Sequence, residues 1–143
     1  MSNLSLFLKS NKIVRKNAFY PATKSIVDEN GKPVEWEIRP VSTEESEQIR
    51  RSCYHSKPVP GKKGQYEEKF DGNEYLSKIM VAAIVFPDLN NAELQDSYEV
   101  KTPEELLVRL VDSPSEYAEL QNFVTELSGF NGEISEDIEE AKN

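Results

Sequence analysis

The sequence predicts an α+β fold, an N-terminal β-hairpin (a small antiparallel sheet) packed on a mainly helical body of about five helices. Three observations carry this. From Asp71 to Leu89 the chain reads DGNEYLSKIMVAAIVFPDL, in which Tyr75, Leu76 and Ile79–Phe86 give a helix apolar nearly all round, the mark of a buried core element. Upstream, Glu35 to Val41 alternates, with Trp36 and Ile38 on one parity and Glu35, Glu37 and Arg39 on the other. Asn30-Gly31 before it supplies the positive φ that a tight turn needs. Downstream, N-cap residues recur with Glu three positions on, the spacing of a capping box.

In chain order, Leu4, Leu6, Phe7 and Leu8 form a short apolar cluster, one or two helical turns for docking on the body or on a partner. Tyr20–Val27 and Glu35–Val41 are the two arms of the hairpin, with Trp36 as a core anchor. Ser42 and Glu45 open a helix that runs to about Cys53, with Ile49 as its main apolar contact. The segment SKPVPGKKGQYEEKFDG is rich in Pro, Gly and Lys, so residues 56–71 read as an exposed, mobile loop, with a short extended piece at 65–70. Asp71 with Glu74 starts the central helix over residues 72–86, which Pro87 ends. At roughly 14 residues it falls short of the about 20 that span a bilayer. Asn91 caps a short helix. Thr102-Pro103-Glu104-Glu105 and Ser113-Pro114-Ser115-Glu116 then start two more, each with Pro at the first position and Glu at the third. The second carries Tyr117, Leu120, Phe123, Val124 and Leu127 as an amphipathic stripe and stops at Gly129. Residues 1–130 are thus expected to form one domain, and 131–143 an acidic, disordered tail.

Composition narrows the function. At 143 residues, 37% hydrophobic and 30% charged, the chain suits one soluble domain with a modest core. The start lacks an apolar h-region and a cleavage site, which places the protein in the cytoplasm. The single cysteine, Cys53, is expected as a small buried residue in a reducing compartment. A net charge of −9 argues against nucleic acid as a partner, and the charge is polarised. Residues 1–24 hold Lys9, Lys12, Arg15, Lys16 and Lys24 with no acid. From Asp112 onward nine acids face Lys142 alone.

No catalytic, cofactor or metal site is legible. His55, the only histidine, lies two residues from Cys53, too close in sequence for the usual nucleophile–base geometry, and no further ligand pair completes a metal site. GKKG lacks the spacing of a phosphate loop, and DENGKPVEWE fails the calcium-loop pattern after Gly31. The expectation is a protein without enzymatic activity, cofactor or metal.

The run from Pro87 onward resembles the XkdN-like family of phage tail assembly chaperones, found in contractile-tailed phages, prophages and related tail-like elements. Pro87-Asp88-Leu89, ELQDSY (Glu93 to Tyr98) before Val100, Leu106-Leu107, Glu116-Tyr117 with Leu120, and Gly129-Phe130 carry the likeness. Upstream, KNAFYPATKS and ENGKPVEWEIRP extend it over nearly the whole chain. Glu99 stands where the pattern has Gly, and Ser113-Pro114-Ser115 replaces a tighter Gly-containing turn. The resemblance implies a non-enzymatic chaperone, absent from the finished virion, that binds the tape-measure protein and helps recruit tail-tube subunits in the host cytoplasm. It also implies a further partner in a frameshift-extended form of the chain itself. Ala141-Lys142-Asn143 can be encoded with the slippery heptamer A AAA AAC, which the gene's codons would show. A holdase needs apolar surface, and the candidates for partner binding are Leu4, Leu6, Phe7 and Leu8, and the Leu94, Tyr98 and Val100 region. The competing readings are a structural adaptor retained in the tail and, more weakly, a nucleic-acid mimic using the acidic tail.

Overall fold

The computed structural model describes residues 3–130, so the tail expectation lies outside the described residues. Among the described residues the architecture is α+β, two small antiparallel sheets and five α-helices. In the first sheet β1 (Ala18–Tyr20) pairs with β2 (Trp36–Ile38), Tyr20 opposite Trp36 and Ala18 opposite Ile38. Alternation decides the burial: Trp36 and Ile38 enter the core while Glu37 faces outward, half-buried. The Asn30-Gly31 turn forms as expected, with Gly31 at φ 80° and the Asp28 carboxylate accepting from the backbone N–H groups of Asn30 and Lys32.

The hairpin's first arm is shorter than its sequence suggests. Only Val27 and Pro33 bridge beyond Tyr20. Pro21 has no N–H for the ladder, and Thr23 and the Lys24 N–H turn away to the Glu116 carboxylate, at 2.8 Å each.

The central helix α2 (Gly72–Ala83) begins as predicted, Asp71 accepting from the Glu74 N–H at 3.0 Å. It ends three residues earlier. Ile84–Phe86 leave the helix as β5, which pairs with β2 and completes a sheet of order β1-β2-β5. Two preferences explain the switch. Ile84 and Val85 are β-branched, and Phe86 precedes a proline, which disfavours helical geometry there. The Ala83 carbonyl, freed from the helix, accepts from the Arg39 N–H at 2.8 Å. The sheet is therefore extended from the end of the core helix.

That segment folds as a second hairpin where a loop is expected. Directly after α1 (Thr43–Ser52), β3 (Tyr54–Pro58) pairs with β4 (Tyr66–Phe70) in full antiparallel register, with Gly61 and Gly64 at positive φ in the turn. Both faces are polar and exposed apart from Phe70, so no apolar alternation marks it in the sequence. Its base is fixed by the Asp71 N–H donating to the Cys53 carbonyl at 2.8 Å and by the Tyr54, Phe70 and Tyr75 rings, with the Arg50 guanidinium over Phe70.

The remaining helices are α3 (Ala92–Ser97), α4 (Pro103–Leu110) and α5 (Pro114–Ser128). Helix α2 touches α1, α4, α5 and β5, and places Ile79 and Met80 among Trp36, Leu106, Leu107, Leu120 and Val124 in one core. The Tyr20 ring stacks on Phe123 at 4.4 Å and closes α5 over β1. The twin helix starts differ: Thr102 accepts from the Glu105 N–H, whereas Ser113 makes no capping bond and pairs with the Ser115 hydroxyl. Glu116, the expected capping-box acid, is held by Thr23 and Lys24 instead.

Candidate partner-binding surface

The N-terminal arm consists of two short 3₁₀ turns, Asn3–Phe7 and Lys9–Asn11, followed by extended chain. Leu4, Leu6, Phe7 and Leu8 are 70, 65, 82 and 54% exposed, so the cluster does not dock on the body. Ile13 and Val14 are more exposed still, at 88 and 81%. Sequence reasoning missed these two because they sit inside the basic run. Six large apolar side chains in eleven residues thus face solvent, an arrangement that a soluble monomer rarely tolerates without use.

Arg15 ties the arm to the body. The Arg15 guanidinium donates to the Ser128 carbonyl, in the last turn of α5, and to the Val41 carbonyl at 3.1 Å. A cation on a helix C-terminus meets unpaired carbonyls and the negative end of the dipole. The Ser128 hydroxyl accepts from the Val41 N–H at 2.9 Å, so arm, β2–α1 linker and α5 meet at one point. Gly129, at φ 85°, ends α5, and its N–H and that of Phe130 return to the Thr125 carbonyl.

Beside this anchor runs an open groove of ≈ 760 Å³ between the arm and the body. Lys9, Lys12, Ile13 and Val14 form one wall; Ser42, Thr43, Ser46, Glu47 and Arg50 of α1 and its entry form the other, and Ser128–Phe130 close one end.

The second predicted region lies elsewhere. Val100 is buried, and Leu94 and Tyr98 are half-buried and packed on the core; none of the three lines the groove. Their placement follows from a tight turn in which Glu99 adopts φ 58° and the Val100 N–H returns to the Gln95 carbonyl. A further apolar patch escaped notice: Phe19 and Phe86 flank Glu37 across the outer face of the first sheet, both more than half exposed. Phe86 read as a helix end, which hid its strand parity.

Cys53 is buried, and burial pushes its thiol pKa up, away from nucleophilic thiolate. The exposed His55 reaches the Glu74 carboxylate at the start of α2; the hydrogen bonds from His55 and then Lys78 hold that carboxyl below its ordinary range. Among the described residues no three His, Cys, Asp or Glu gather as metal ligands, and no helix is long and apolar enough to cross a membrane.

Comparison with known proteins adds family evidence. The family described as phage XkdN-like tail assembly chaperone protein matches residues 4–142. The phage-like element PBSX protein XkdN of Bacillus subtilis (strain 168) is 26% identical over 141 residues, covering 99% of this chain and 94% of its own. The uncharacterized protein YqbN of the same strain is 29% identical over 139 residues, covering 97 and 91%. The crystal structure of the protein YqbN superposes with a TM-score of 0.73 at 22% identity, over 90% of this chain and 98% of that one, which shows a shared fold.

Proposed function

This chain belongs to the phage XkdN-like tail assembly chaperone family, and from that premise we propose that it holds the tape-measure protein soluble and helps recruit tail-tube subunits onto it. The reading is of a non-enzymatic protein acting in the host cytoplasm and leaving before the virion is complete, with a frameshift-extended form of the same chain as a further partner. The single observation that supports a holdase most strongly is the exposed apolar arm, Leu4, Leu6, Phe7 and Leu8, continued by Ile13 and Val14. Apolar side chains on a short arm fit the exposed apolar stripe that a helical client segment presents. Leu94, Tyr98 and Val100 take the supporting role of shaping the body behind α3, since their side chains already pack inward.

Co-expression with the tape-measure protein tests this. The client is expected to become soluble and to co-purify, and Leu6→Asp with Phe7→Asp is expected to abolish both effects while leaving the chaperone folded, because neither side chain is buried. A client that stays insoluble, or that is rescued equally by the double variant, overturns the role of the arm. Detection of this chain in purified tails would favour a retained structural subunit.

A further inference from the structure

The groove beside the arm joins an apolar strip to a basic rim. Ile13 and Val14 line it, and nothing among the described residues covers them. Lys9 and Lys12 stand on the same wall, exposed, and neither ammonium group meets a carboxylate among the described residues. In the whole lining, Lys9, Lys12, Arg15 and Arg50 stand against Glu47 alone. A concave surface that offers apolar contact and cations side by side is complementary to an acidic segment with an apolar stripe.

Charge also decides what kind of anion fits. Residues 1–24 hold cations and no acid, while the whole chain stands at −9, so the body behind the arm is strongly acidic. An anionic bilayer or a nucleic acid presents an extended plane or rod of negative charge, which would meet this body as well as the arm and be repelled by it. A single short segment reaches the cations of the groove and leaves the body in water. The arm is moreover two short 3₁₀ turns and extended chain, not the continuous amphipathic helix that lies in a membrane interface. We propose that the groove takes an acidic amphipathic helix of the client, its apolar stripe on Ile13 and Val14 and its bordering carboxylates on Lys9 and Lys12. The proposal rests on the holdase reading for the source of that helix. It adds which parts of a client are recognised, those whose apolar stripe is bordered by Asp or Glu.

Two synthetic helical peptides with the same leucine stripe, one bordered by Glu and the other by Gln, provide the test. Each is titrated against the full chain and read by fluorescence anisotropy. The Glu peptide is expected to bind ~10-fold tighter at about 0.05 M NaCl, as two exposed ion pairs allow, and to lose most of that advantage at about 0.5 M. The Lys9→Gln, Lys12→Gln variant is expected to erase the preference while binding the Gln peptide as the native chain does, which shows that its groove is intact. Ile13→Ser with Val14→Ser is expected to weaken both peptides ~10-fold at either salt, through lost apolar contact. Equal binding of the two peptides by the native chain, or a preference that survives removal of both lysines, overturns the proposal. So does tighter binding of phosphatidylglycerol vesicles or of duplex DNA than of the Glu peptide. No client is present in these titrations, so a client solubilised on co-expression by a chain that does not discriminate the peptides would sink the charge rule and leave the holdase reading standing.

Discussion

Two single positions show how finely the backbone is specified. Glu99 occupies the left-handed region at φ 58°, where a side chain costs about 1–2 kcal/mol and glycine nearly nothing. Glu99→Gly also loosens the unfolded chain, by roughly 0.5–1 kcal/mol. The net expectation is a gain of up to about 1 kcal/mol in a urea titration; a loss would show that the Glu99 side chain makes a compensating contact. That position was legible, because the resemblance placed a glycine there. The helix starts at Thr102 and Ser113 were legible only as a pattern. Thr102 makes its capping bond and Ser113 does not, so Thr102→Ala should cost about 1 kcal/mol and Ser113→Ala less than about 0.5. Equal costs would restore the symmetry that the sequence suggests. Nothing within Ser113–Glu116 reveals the difference, because it depends on Thr23 and Lys24, some ninety residues earlier in the chain, claiming the Glu116 carboxylate.

Elements with an apolar face could be read from the sequence; elements without one could not. Helix α2 was visible because burial demands its composition, and Ile79→Ala is expected to cost about 2–5 kcal/mol through the cavity it leaves. The β3–β4 hairpin was not visible, since its strands bury little beyond Phe70 and are held by backbone register and a fixed base. Two carboxylates join elements across the fold: Glu74 ties α2 to β3 through His55, and Glu116 ties α5 to the chain after β1. Both are held below the ordinary carboxylate range, Glu74 by His55 and then Lys78, Glu116 by the Lys24 N–H and then the Thr23 hydroxyl. A depressed folded-state pKa gives stability that is complete above the unfolded value and is lost as pH falls through the folded one. The urea midpoint should therefore fall from pH 5 toward about pH 3, and less steeply in the Glu74→Gln, Glu116→Gln double variant. Parallel curves would assign the acid sensitivity to other groups.

At the scale of the whole molecule, the candidate surface draws on residues 9–15, 41–50, 75 and 128–130, and no local pattern in the sequence joins them. Its apolar arm could be read as composition; its groove needed the fold. Arg15 ties the arm to the body, so Arg15→Met should lower stability by about 1–2 kcal/mol, leaving the Ser128 and Val41 carbonyls without their donor. Trypsin should then cut faster after Lys9 and Lys12, because proteolysis follows local opening. Unchanged cleavage would mean that the arm is held by other contacts. The first sheet has a consequence of another kind. Its outer strands β1 and β5 are three residues each, and the longer rims of the β3–β4 hairpin carry Lys57, Glu67, Glu68 and Lys69. Short or charged rims give an incoming extended segment little backbone to zip onto. An extended segment therefore meets these edges through side chains, and the described rims offer it no template for growth into a fibril.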